Sequence, residues 1–149
     1  YHMGEGTISV KPLPGAAELL EALSLEPDFV PSVVTGNFEA TAQVKLDAAG
    51  LASYLWRGAY ASDSEQRRDL PAIAKNRCEV RAGRILNADR CIIIGDTPKD
   101  VEAARANHMK CVLVGTGRYP VEELEYWQAE ACLPDLRGTG AILDLLANL

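Results

Sequence analysis

The sequence predicts an α/β fold: a three-layer arrangement in which a mostly parallel sheet is covered by helices. Three observations predict it. Strand patterns and helix patterns alternate along the chain, the signature of parallel strands joined by right-handed crossovers. Within the strand read over residues 90–94, Cys91-Ile92-Ile93-Ile94 is continuously apolar, as a strand covered on both faces must be. A chain of 149 residues, 48% hydrophobic and 24% charged, fits one domain with a sizeable core.

The elements follow in order. Pro12-Leu13-Pro14-Gly15 makes a turn, and leucines 19, 20 and 23 give residues 16–23 helical spacing. Residues 29–34 read as a strand, with Pro31 marking its beginning or an edge. Residues 37–49 repeat at helical period and stop at Gly50. Residues 51–64, with Tyr54, Leu55, Trp56 and Tyr60 among turn formers, read as a loop holding a short strand. Asp69 caps a helix with Pro71 in its first turn that runs to about Gly83. After the strand at 90–94, Thr97 caps a helix that has Pro98 at its first position and runs to about Asn107. Residues 110–114 form the next strand, 120–128 a helix, 130–133 a short strand and 139–147 a closing helix.

The net charge of −6 argues against nucleic acid and anionic membranes as partners. No apolar run reaches the roughly 20 residues of a membrane span, and no signal peptide is recognisable, so a cytoplasmic setting is expected. Cysteines 78, 91, 111 and 132 are scattered without a Cys-x-x-Cys pair, which suits buried structural thiols. Residues 1–10, opening Tyr1-His2-Met3, read as a tag remnant or a residual lead-in, and residues 11–149 as a single domain.

Three groups could carry chemistry. Gly95-Asp96-Thr97-Pro98-Lys99-Asp100 places one acid at a strand's carboxyl end and a second in the first turn of the next helix. Two such carboxylates can converge on a hard divalent cation, at the sheet rim where α/β proteins bind ligands; each also suits plain helix capping. Val33-Val34-Thr35-Gly36-Asn37 sets Thr35 at another strand end beside amides that suit an anionic oxygen. Arg67 and Arg68, just before a helix, and Lys75 within it are the basic residues that could bridge a phosphate. Val114-Gly115-Thr116-Gly117-Arg118 lacks the third glycine of a dinucleotide loop, and His108 reads as a surface or capping histidine.

Taken in order, these groups resemble the haloacid dehalogenase-like hydrolase superfamily, particularly its phosphoglycolate phosphatase-like members. The resemblance spans residues 11–145. Thr35-Gly36-Asn37 is similar to the second motif, whose hydroxyl binds the transferred phosphoryl group, and Asp96 with Asp100 to the fourth, whose acids hold Mg²⁺. Arg67 and Arg68 fall near the place of the third, a phosphate-steadying base, with Lys75 second by spacing. Pro14-Gly15-x-x-Glu18-Leu19-Leu20 resembles the return from cap domain to core. The resemblance implies a Rossmann-like core, Mg²⁺ (with Mn²⁺ or Zn²⁺ as alternatives), and a small phosphorylated substrate.

The chain departs from that pattern at the first motif. No Asp-x-Asp occurs anywhere, and Met3-Gly4-Glu5-Gly6-Thr7 is only a chance match, since Met cannot attack phosphorus. The chain therefore resembles the carboxyl-terminal core of such an enzyme, without the cap and without the central first strand, which the family places between the strands ending at Thr35 and Asp96. Either those strands pair directly, or two chains fill each other's gap, so a homodimer, strand-swapped in the second case, is expected. The expected activity is metal-dependent phosphoester hydrolysis with water as the attacking group and Glu5, Asp63 or Glu65 as its base. The alternative is a non-catalytic remnant that binds metal or phosphate and needs an amino-terminal partner.

Overall fold

The computed structural model describes residues 13–115 and 119–149. Its first helix, α1 (Ala16–Leu25), starts behind Gly15, whose φ of 83° lies in the left-handed region. A Cβ there would also collide with the Leu136 carbonyl, so glycine is required twice over. Strand β1 is shorter than the apolar run suggests, Ser32–Val34. It begins after Pro31, which has no amide hydrogen for a ladder and contributes only its carbonyl, accepting from the Trp56 amide. Helix α2 (Glu39–Ala49) leads through a turn to β2 (Trp56–Ala59), parallel to β1.

A one-turn 3₁₀ helix at Arg67–Asp69 precedes α3 (Leu70–Ala82). Then come β3 (Ile92–Gly95), α4 (Pro98–Ala106) and β4 (Lys110–Val114). The helix expected over 120–128 is only α5 (Val121–Leu124), tightening into a 3₁₀ turn at Glu125–Trp127 and ended by Gln128 at φ 54°. Strand β5 (Ala131–Leu133) and α6 (Thr139–Asn148) complete the chain. Among the described residues no helix is long and apolar enough to cross a membrane.

All strand pairs are parallel, but they form two sheets, β1-β2 and β3-β4-β5. The two strands flanking the expected gap therefore do not pair directly. Among the described residues β1 bonds only to β2 and β3 only to β4, so each has an edge that no described strand pairs. Ile94, in the middle of an isoleucine run, is 38% exposed.

Strand β4 shows the layering most clearly. Val112 and Val114 pack with Leu19 and Leu23 of α1 and Ile142 and Leu146 of α6. Cys111 and Leu113 point the other way, onto Val101 and Ala104 of α4 and Leu124 of α5. This alternation makes a sheet between two helical layers. The β1-β2 pair has a smaller cluster, Ala59 with Leu70 and Ala74 of α3. All four cysteines are free, and burial pushes the Cys111 thiol up to about 12.

Candidate active site

The densest polar arrangement follows β3. The strand ends at Gly95, and α4 starts at Pro98 with Thr97 as its N-cap, so the chain turns within two residues. Asp100 folds back into that turn and is 6% exposed. Its Oδ2 accepts from the amides of Asp96 and Thr97, both at 3.0 Å, and from Thr97 Oγ1 at 3.1 Å. Those donors are the orphan amides of a helix start, and the carboxylate satisfies them where the helix dipole favours negative charge. Gly95 is needed for this approach, because a Cβ would strike the Asp100 carboxyl group.

The second oxygen of Asp100 faces outward. Oδ1 accepts from Arg67 Nη2 at 3.1 Å. Arg67 reaches it from the 3₁₀ turn before α3, which is tied to the far end of α4 by Asn107 Nδ2 donating to the Arg68 carbonyl at 2.7 Å. Asp96 is half-buried, and its carboxylate makes no hydrogen bond to a described residue.

The second group lies at the end of β1. Thr35 continues the ladder, its amide donating to the Ala59 carbonyl at 3.2 Å. Thr35 Oγ1 accepts from the Asn37 amide at 3.2 Å and from Asn37 Nδ2 at 3.0 Å. Lys45 Nζ donates to Asn37 Oδ1 at 3.3 Å. Gly36 is exposed, so its backbone is open to an incoming anion.

The structure thus brings Asp96, Asp100 and Arg67 into one network and Thr35, Gly36 and Asn37 into another. Both stand at carboxyl ends of parallel strands, in different sheets. Arg68 is engaged elsewhere, donating to Gln66 Oε1 at 3.1 Å, and Lys75 pairs with Glu79 one turn along α3 at 3.0 Å. Among the base candidates, Asp63 is gripped by both Arg77 nitrogens at 2.8 and 2.7 Å, and that guanidinium holds its carboxyl below the usual carboxylate range. A carboxylate so stabilised is a poor proton acceptor. Glu65 is exposed, while Glu5 and Thr116, Gly117 and Arg118 lie outside the described residues.

Sequence reasoning missed Lys45. The signal was present, since residues 37, 41 and 45 recur at helical spacing along one face. It also missed Arg77, whose bond to the Gly58 carbonyl at 2.7 Å secures the end of β2 and which no local pattern marks.

The donor set fits a hard cation in part. Asp96 and the outward Oδ1 of Asp100 offer two carboxylates, and Mg²⁺ is commonly held by one or two carboxylates with phosphate and water completing its shell. Zinc, which prefers nitrogen and sulfur, finds neither nearby. No group of three or more His, Cys, Asp or Glu side chains placed to hold a metal occurs among the described residues.

Comparison with known proteins bears on the family and the fold. Solved structures share the fold. A hydrolase from Pseudomonas syringae is 28% identical with a TM-score of 0.72, over 91% of this chain and 63% of that one. A haloacid dehalogenase-like family hydrolase from Streptococcus pneumoniae is 19% identical with a TM-score of 0.71, over 91% of this chain and 60% of that one. A HAD family hydrolase from Deinococcus radiodurans, solved with bound phosphate and sodium, is 21% identical with a TM-score of 0.66, over 93% of this chain and 62% of that one. The chain therefore spans less than two thirds of each of them. No curated protein matches it. The family model described as HAD-hydrolase-like matches residues 59–139, more than half of the sequence, and the chain belongs to that family.

Proposed function

We propose that this chain carries the cation-binding and phosphate-binding residues of a phosphoester hydrolase. The observation that supports it most is the acidic turn after β3, where Asp96 has no described hydrogen-bond partner and stands beside Asp100 and its partner Arg67. Thr35 and the Gly36 amide hold phosphate oxygens, Asn37 braces the Thr35 hydroxyl through its backbone and side-chain amides, and Arg67 adds positive charge. Asp100 orients the turn while Asp96 presents its carboxylate. Asp96 and Asp100 hold a divalent cation, Mg²⁺ by preference, which when bound neutralises phosphate charge and lowers the pKa of water. The attacking group is water, since the chain contains no Asp-x-Asp.

The test is hydrolysis of nitrophenyl phosphate mono-, di- and triesters by purified protein with Mg²⁺, Mn²⁺ or Zn²⁺. The expected result is metal-dependent turnover that Asp96→Asn abolishes. Absence of turnover, or turnover indifferent to Asp96→Asn, overturns the reading of the chain as active alone.

The split sheet favours a second reading, in which the chain binds phosphate and cation but needs a partner strand. Among the described residues β1 and β3 each carry an edge without a paired strand, and such edges recruit strands. A homodimer in which two copies exchange segments fills the edges from within; an amino-terminal fragment carrying an extended apolar strand fills them from outside. Light scattering that reports a dimer supports the first. A monomer whose turnover appears only when a strand-bearing peptide is added supports the second, and a fully active monomer removes both.

A further inference from the structure

We propose that Lys45 is a positioning residue for the phosphate-contacting hydroxyl of Thr35, acting by fixing which way the Asn37 side-chain amide faces. The inference rests on the reading of Thr35 as a phosphate contact. It follows from counting donors and acceptors along three side chains.

Lys45 Nζ lies 3.3 Å from Asn37 Oδ1, and Asn37 Nδ2 lies 3.0 Å from Thr35 Oγ1. An ammonium group has donors only, so it can bond only the oxygen end of the amide. With that end held by Lys45, the NH₂ end must turn toward Thr35. A hydroxyl has one proton to give and two lone pairs to fill. Asn37 fills both, through its backbone amide at 3.2 Å and through Nδ2. The Thr35 proton is then the hydroxyl's only remaining hydrogen-bonding capacity, and it is free to donate to an anionic oxygen.

The reversed amide has the opposite effect. Asn37 would present Oδ1 to Thr35, take the hydroxyl proton for itself, and leave a lone pair facing the anion. Nothing else described selects between the two orientations, because the Asn37 backbone is fixed in either case by its carbonyl accepting from the Ala61 amide at 2.9 Å. Lys45 forms no ion pair with a described carboxylate and is half-buried on α2, two turns beyond Asn37. It is therefore a committed donor rather than a residue shared with a surface acid.

The experiment uses the full chain with inorganic phosphate as probe, followed by nuclear magnetic resonance, in wild type, Lys45→Met, Lys45→Arg, Asn37→Ala and the Asn37→Ala/Lys45→Met double variant. Without phosphate, the Asn37 side-chain amide pair, identified by its loss in Asn37→Ala, should shift in Lys45→Met and return in Lys45→Arg. With phosphate, Lys45→Met should weaken binding roughly three- to tenfold, the worth of one hydrogen bond, and Lys45→Arg should restore it to within about twofold. In the Asn37→Ala background Lys45→Met should cost nothing further. An unmoved Asn37 amide in Lys45→Met overturns the proposal. Equal losses with and without Asn37 also overturn it, since they make Lys45 a direct charge on the anion. Failure of the wild type to bind phosphate refutes instead the reading of Thr35, while the phosphate-free amide shift still decides whether Lys45 orients Asn37.

Discussion

Replacing Asp100 by alanine separates what this acid does for the fold from what it does for a ligand. The carboxylate is 6% exposed and accepts four hydrogen bonds, three on Oδ2 from the turn itself and one on Oδ1 from Arg67. Truncation removes a helix cap worth about 0.5–2 kcal/mol. It also leaves the Asp96 and Thr97 amides without their charged acceptor, at about 1.5–3 kcal/mol for such a bond. These terms overlap, because the cap is one of those bonds, so the expected loss is about 2–4 kcal/mol. At about 2–4 °C per kcal/mol for a domain of this size, Tm should fall by about 5–15 °C. Arg67→Met breaks the pair from the other side, but the Arg67 side chain is 46% exposed. Solvent screening limits that loss to within about 1 kcal/mol. Urea and thermal unfolding followed by circular dichroism at neutral pH compare the two, with an unchanged urea slope as the check on two-state behaviour. A loss below about 1 kcal/mol in Asp100→Ala, or one matched by Arg67→Met, would refute the reasoning, because the acid would then be dispensable to the turn.

Two further predictions concern the same framework. Gly95→Ala drives a methyl group into the Asp100 carboxyl and should cost about 1–3 kcal/mol, read as a lower Tm. Asp100→Ala should relieve part of that cost, and strict additivity in the double variant would argue against the clash. Stability should also fall in acid in a way that Arg77 controls. Arg77 holds the Asp63 carboxyl below its ordinary 3.8, with the Tyr60 amide helping. A folded-state pKa that is depressed gives stability fully present above the unfolded value and lost as pH drops from there through the folded value. Urea midpoints should therefore decline below about pH 3.8 and decline less in Arg77→Met; parallel declines would count against the Asp63–Arg77 pair as the cause.

The sequence was legible wherever one local rule decided the outcome. The strand at 110–114 was read to the residue, because a continuous apolar run between a helix stop and a glycine turn allows little else. Thr97 and Pro98 marked the start of α4 by cap chemistry alone. Where two rules competed, the boundary moved. Apolar residues 29 and 30 suggested a longer β1, but Pro31 cannot join a ladder, so the strand starts at Ser32. Residues 125–127 kept a helical pattern, yet without partners for a longer helix the backbone tightened into a 3₁₀ turn. The placement of Asp96 and Thr35 just after strand ends, and of Asp100 in the first turn of α4, was legible from spacing alone. The bond between Arg67 and Asp100, 33 residues apart, was not, since no local pattern chooses among Arg67, Arg68 and Lys75.

The core explains why the two strand-end groups are not held alike. Clusters on both faces of β4 enclose the three-stranded sheet, with Cys111, Val112 and Leu113 fully buried. The turn bearing Asp96 and Asp100 is held to that core through α4, whose Val101 and Ala104 pack into the second cluster, while β3 itself is half-buried with Ile94 exposed. The β1-β2 pair rests on a cluster of only three buried residues, and all three residues of β1 are half-buried. Regions with few buried apolar contacts open first, so the Thr35 end is the weaker one. Two bonds cross from the turn before α3, which packs on β2, to α4: Arg67 to Asp100 and Asn107 to the Arg68 carbonyl. Arg67 consequently has a structural role beside the one proposed for it. It ties the β1-β2 pair to the acidic turn after β3, two sheets that no described strand joins.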